Sequence, residues 1–149
     1  MNAELAAASL GTEFRGRPRK LTHARALALS GGPFDLPVWP EKNLHTDRDA
    51  AREAGLAEIV VSGTQWVGYT VGLLVELCGP AWFAHGEIEH RITRSVPIDE
   101  TLMPVATLAA RESVPSGVRV VFSVRCENGA GEQVLVGKAS CLLPVGSER

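Results

Sequence analysis

The sequence predicts an α+β fold in which an antiparallel sheet wraps around one central helix. Residues 64–78 carry apolar side chains on nearly every helical face (Trp66, Val67, Tyr69, Val71, Leu73, Leu74, Val75, Leu77, Cys78), which suits a helix enclosed on most sides. The second half reads as extended segments at 83–96, 101–111, 118–126 and 133–143. The last two flank Asn128-Gly129-Ala130-Gly131, a hairpin signal. The strand–helix–strand alternation that a parallel sheet needs is absent.

Each element has its own signature. Residues 1–10 are an Ala-rich segment expected to be flexible or weakly helical, ahead of a single domain over 11–149. A short strand is expected at 12–15, ended by Gly16 and Pro18. Thr22 is placed to N-cap a helix over 24–29, which Gly31-Gly32-Pro33 stops. The stretch 31–43 holds Pro33, Pro37 and Pro40 and must be a loop. Asp47 caps a helix over 48–54, with Gly55 just beyond its end. In the long helix Gly68 and Gly72 sit on one side and would admit another backbone closely, at a propensity cost of about 1 kcal/mol each. Gly79-Pro80 ends it.

Composition narrows the function classes. A chain of 149 residues with 45% hydrophobic content supports one domain with one core. The net charge of −2, with both signs interspersed, gives no reason to expect a nucleic-acid or membrane partner. The basic stretch 15–20 is broken by Gly16 and Pro18 and reads as a solvated loop, with a contact to substrate phosphate or nucleic acid as the alternative. Cys78, Cys126 and Cys141 lie far apart without metal spacing, as buried thiols of a reducing compartment do. The first ten residues lack a basic, then apolar, leader pattern, and the longest apolar stretch is too short to span a bilayer; a cytoplasmic location is expected. No metal site is expected: His85 and His90 are five apart on an expected strand, on opposite faces. No G-x-S-x-G nucleophile turn occurs.

The chemistry concentrates between positions 43 and 64. Asn43-Leu44-His45-Thr46-Asp47 sets an imidazole in a polar loop, and Val61-Ser62-Gly63-Thr64 opens the long helix. An ordinary imidazole titrates near pH ~6.5 and suits proton transfer. Free N–H groups at a helix start favour developing negative charge. For Ser62, Gly63 and Thr64 an ordinary cap is the bland alternative, as a surface histidine is for His45.

The order of these parts resembles the MaoC-like hydratase/dehydratase family of the hotdog fold. The matching residues are Leu21-Thr22, Leu29-Ser30-Gly31, Asn43-Leu44-His45-Thr46-Asp47, Ala50, Ala54-Gly55-Leu56, Val61-Ser62-Gly63-Thr64 and Val96-Pro97-Ile98-Asp99-Glu100-Thr101-Leu102. The resemblance spans roughly 11–143. It implies a single hotdog domain, a homodimer or hotdog heterodimer, and a coenzyme A or acyl-carrier-protein thioester as substrate. It also implies hydration of a 2-enoyl or dehydration of a 3-hydroxyacyl thioester without a cofactor, with His45 in an acid/base pair and Gly63 as oxyanion donor supported by Ser62 and Thr64. One departure stands out. The family motif Asp-x-Asn-Pro-x-His has its carboxylate five residues before the histidine, where this chain has Pro40; Asp35 or Glu41 would supply a relocated one. A catalytically silent acyl-thioester-binding or partner subunit, and a thioesterase using Glu53 or Glu76, are the alternatives.

Overall fold

The computed structural model describes residues 2–144. Eleven elements follow one another: α1 (Ala3–Ala7), β1 (Glu13–Arg15), β2 (Arg19–Lys20), α2 (His23–Ser30), α3 (Arg48–Glu53), α4 (Gly63–Cys78), α5 (Ala81–His85), β3 (Gly86–Ile92), β4 (Thr101–Val114), β5 (Gly117–Asn128) and β6 (Gln133–Pro144). The strands form one antiparallel sheet in the order β1-β4-β5-β6-β3, with β2 also paired to β4. The fold is α+β, a sheet wrapped on a long central helix.

The core forms because α4 buries Trp66, Thr70, Leu73, Leu74, Leu77 and Cys78 along one face. These meet Phe122, Val120, Leu108, Leu135, Ala139 and Cys141 from the long strands. Thr70 is tolerated there because its hydroxyl donates to the Trp66 carbonyl at 3.1 Å. The opposite side of α4 faces out through Thr64, Gly68, Gly72 and Glu76, four residues apart each time. Enclosure is thus less complete than the all-round apolar pattern suggests. Two glycines interrupt the apolar surface on that side, and nothing lies within contact distance of where their side chains would start. At the N-terminus Leu5 of α1 is fully buried, and the Leu77 carbonyl accepts from Asn2 N–H at 2.9 Å. The three cysteines are free and buried; burial pushes the Cys78 and Cys126 thiols up to about 12 and raises that of Cys141.

The hairpin at Asn128 forms as its residues dictate: the side chain Oδ1 accepts from Ala130 N–H at 3.1 Å and from Glu132 N–H at 2.9 Å. The expected strand at 83–96 differs. Its first residues belong to α5, which Pro80 starts and which turns Trp82 into the core while Phe83 stays exposed. His85 therefore closes a helix, and only His90 lies on a strand.

Among the described residues β3 is a sheet edge paired to β6 alone, and the pairing is close at Gly137, where a β-carbon would collide with the Glu89 carbonyl oxygen. Gly137→Ala should loosen β3 from β6 and destabilise the protein by about 1–3 kcal/mol. Urea unfolding checks the magnitude, and faster amide exchange confined to β3 checks the location.

Candidate functional site

The loop before α3 is held by its own side chains. His45 N–H donates to Asn43 Oδ1 at 2.9 Å, and Asn43 Nδ2 donates to the Ser30 carbonyl at 2.8 Å, so one amide ties the end of α2 to the histidine. The buried Thr46 hydroxyl donates to the Glu41 carbonyl at 2.6 Å and accepts from Asn43 N–H at 3.0 Å. His23 Nε2–H donates to the Thr46 carbonyl at 3.1 Å. Asp47 closes the loop as the α3 cap, accepting from Asp49 and Ala50 N–H at 3.1 and 3.0 Å. The Ala50 N–H above all, with Lys42 nearby, holds its carboxyl below the usual range.

The half-buried His45 ring points to Val60. Its Nδ1 lies 2.7 Å from the Val60 carbonyl oxygen. A carbonyl only accepts, so Nδ1 carries the hydrogen and the neutral ring keeps its lone pair on Nε2. Nε2 has no hydrogen-bond partner among the described residues. Val60 N–H in turn donates to the Leu44 carbonyl at 3.4 Å, and Val61 N–H to the Val96 carbonyl at 2.8 Å. The chain then runs directly through Ser62 into α4.

Ser62 is the N-cap of α4, extended at φ −62°, ψ 133°, and makes no side-chain cap bond; its Oγ pairs with Thr64 Oγ1 at 2.9 Å. Gln65 N–H reaches the Ser62 carbonyl at 3.0 Å, whereas the Gly63 and Thr64 N–H groups have no partner among the described residues. Two donors and the positive end of a 16-residue helix therefore open just beyond the extended segment whose Val60 carbonyl holds His45. Ile92, at the end of β3, lies where a Gly63 side chain would be. A side chain at Gly63 would have to displace the tip of Ile92.

The two loop acids are placed differently. Asp35 and Glu41 are exposed, and neither carboxylate makes a hydrogen bond or ion pair among the described residues. The Glu41 carboxylate turns back over Gly32, and the Glu41 N–H donates to the Gly31 carbonyl at 2.8 Å. The structure brings His45, Ser62, Gly63 and Thr64 to one region, with no bond from Asp35 or Glu41 to the imidazole. Asn43, Thr46, Val60 and Ile92 build the region too; Asn43 and Thr46 stand in the motif named from sequence but without a role, and Val60 and Ile92 had none. The Asn-x-His spacing could have indicated the Asn43 turn; the Val60 carbonyl has no side-chain signature. No cluster of three or more metal-ligating side chains occurs among the described residues, and no helix there is long and apolar enough to cross a membrane.

Two outcomes follow. Gly63→Ala should be at most mildly destabilising, because the new methyl meets the movable tip of the exposed Ile92 side chain, and Ile92→Ala should restore the loss; melting temperatures of the single and double variants check this coupling. Because the folded Asp47 carboxyl is depressed, its charge stabilises the fold above the unfolded value and loses that effect as pH falls through the folded one. Asp47→Asn should lower the urea midpoint at pH 7, with the difference from wild type vanishing in acid.

No family model matches the chain, and no curated protein matches it. Solved structures do. The MaoC-like dehydratase from Rhodospirillum rubrum is similar at 23% identity and a TM-score of 0.73, covering 94% of this chain and 95% of that one. The (R)-hydratase from A. caviae involved in PHA biosynthesis is similar at 17% identity and 0.73, covering 93% and 98%. The truncated HadBC (3R-hydroxyacyl-ACP dehydratase) complex from Mycobacterium tuberculosis is similar at 11% identity and 0.66, covering 89% and 96%. With the sheet, the central helix and the site geometry in place, these likenesses show that the chain has the hotdog fold of the MaoC-like dehydratases and R-hydratases.

Proposed function

We propose that this chain is a hydro-lyase that adds water to a 2-enoyl thioester or removes it from a 3-hydroxyacyl thioester. The observation that carries the reading is the Val60 link: His45 Nδ1 is fixed on the Val60 carbonyl at 2.7 Å, and three residues on, α4 opens with unpaired N–H groups at Gly63 and Thr64. In the hydration direction, Nε2 of His45 takes a proton from water as its oxygen bonds to the β-carbon. Negative charge moves to the thioester oxygen, where the Gly63 and Thr64 amides receive it, with Ser62 shaping the turn. The imidazolium then returns the proton to the α-carbon, and no cofactor takes part. Asp35 or Glu41, on the loop that leads into His45, is the proposed acid that orients the water, in place of the carboxylate that Pro40 displaces.

The fold supports this reading, because the similar structures are hydratases and dehydratases. HadBC is named for a 3R-hydroxyacyl carrier-protein substrate and is a complex of subunits. For this chain we propose an acyl-CoA or acyl-carrier-protein thioester and a dimer, homo- or heteromeric, with the free edge of β3 as one surface able to pair. We place it in the cytoplasm. A silent acyl-binding subunit is the second reading, and the absence of a bond from any loop carboxylate to His45 favours it. The thioesterase reading is weaker, since Glu53 and Glu76 stand exposed on the outer faces of α3 and α4.

His45→Gln keeps a group able to donate to the Val60 carbonyl and removes the base. It should lower crotonyl-CoA hydration, followed by loss of enoyl absorbance, by about 10²–10⁴-fold. Undiminished turnover in the variant overturns the role of His45. A folded wild-type homodimer that binds the thioester and turns over none of it establishes the silent subunit instead. Between Glu41→Gln and Asp35→Asn, the variant with the larger fall in kcat identifies the acid.

A further inference from the structure

One buried donor is left over by the proposed proton chemistry. Trp66 is 1% exposed, and its indole Nε1–H has no hydrogen-bond partner among the described residues. A buried indole N–H usually finds one, and leaving it bare forfeits its hydration without return. The other buried side-chain atom without a partner there, Gln65 Oε1, belongs to an amide that already bonds the Tyr69 hydroxyl at 2.7 Å. Trp66 has no second polar atom with which to compensate. Its unpaired N–H is explained most directly by an acceptor that the folded chain does not itself supply.

The place of the ring ties it to the head of α4. Trp66 follows Gly63 by three residues, so the two share a helical face, and side chains lean toward the helix N-terminus, which lays the ring over the first turn. Its carbon Cζ2 lies 3.7 Å from where a Gly63 β-carbon would stand. Cζ2 is bonded to the carbon that carries Nε1, on the same long edge of the indole, so the N–H side of the ring is the side turned to Gly63. The tip of Ile92 occupies the same space and covers that edge. Ile92 ends an edge strand and is 44% exposed, so its tip can take another rotamer without disturbing the core. With the tip turned aside, the indole N–H joins the free amides of Gly63 and Thr64 around one opening. Three donors without an acceptor among them fit an oxygen that carries or gains negative charge.

We propose that Trp66 Nε1–H is a third donor to the thioester oxygen, covered by the tip of Ile92 in the free chain and opened when that side chain turns. The identity of the acceptor rests on the hydro-lyase reading, but the contact itself is read without turnover. The chain has three tryptophans, so nitrogen-15 labelling gives three indole resonances, and Trp39→Phe and Trp82→Phe identify that of Trp66 by elimination. Saturating butanoyl-CoA, which has no double bond to hydrate, should move the Trp66 indole proton downfield as the bond forms. In the free chain, Ile92→Ala should speed exchange of that proton with solvent at least about tenfold. Trp66→Phe should lower kcat for crotonyl-CoA hydration about 10²-fold and raise KM far less, the mark of a donor that acts in the transition state. The titration uses the wild-type chain, so it decides the matter even where Trp66→Phe does not fold. Bound butanoyl-CoA that leaves the Trp66 resonance in place, or cross-relaxation of its proton with a long-lived water in free and bound protein alike, overturns the contact and leaves the hydro-lyase standing. Exchange unchanged by Ile92→Ala, or full kcat in a folded Trp66→Phe, does the same. Failure to bind butanoyl-CoA overturns both. A downfield Trp66 shift in a protein inert towards crotonyl-CoA keeps the contact and loses the hydro-lyase.

Discussion

The Val60 carbonyl accepts from an imidazole on one side of a short extended segment, and three residues further on that segment becomes the first turn of α4. This bond does two jobs. It selects the tautomer with its lone pair on Nε2, and it ties the imidazole to the segment that leads into a pair of free amide donors. A neutral hydrogen bond of this kind contributes only about 1 kcal/mol to stability. Its chemical effect is larger, because the other tautomer would offer N–H where the proposed reaction needs a lone pair. The Asn43 and Thr46 side chains hold the same turn from below, so the imidazole is restrained through both its backbone and its ring.

The sheet sets the other boundary. Ile92 ends the edge strand β3 and lies over Gly63, so the position of the last strand in the sheet order decides how much room the start of α4 has. The core beneath is ordinary in chemistry: one helical face of Trp66, Leu73, Leu74 and Leu77 against the inward residues of the long strands. Its value to the site is rigidity, since a close-packed interior holds α4 against the sheet with little freedom to slide.

What could be read from sequence follows from how local each signal is. The helix over 64–78, the hairpin at Asn128 and the Asp47 cap are written in adjacent residues, and the structure has all three. α5 was hidden because Ala-Trp-Phe-Ala is as apolar as a strand, and the deciding factor is burial of Trp82 beneath the sheet. β2, only two residues long, exists through its pairing with β4. At the candidate site the residue types His45, Ser62 and Gly63 are visible in the chain, but their approach depends on a backbone carbonyl and on Ile92 from another element. The gap at Pro40 was equally visible. Where its replacement should stand was not, because a proline-rich loop has no periodicity from which to infer direction.

The three cysteines have a practical consequence. All are enclosed, and burial holds the Cys78 and Cys126 thiols at about 12, so almost no thiolate exists near neutral pH. Maleimides and other soft electrophiles should pass over the native chain. A single cysteine introduced at an exposed position of the Gly31–Glu41 loop would then be the one reactive sulfur, and a fluorophore there would report that loop alone without a cysteine-free background having to be built first.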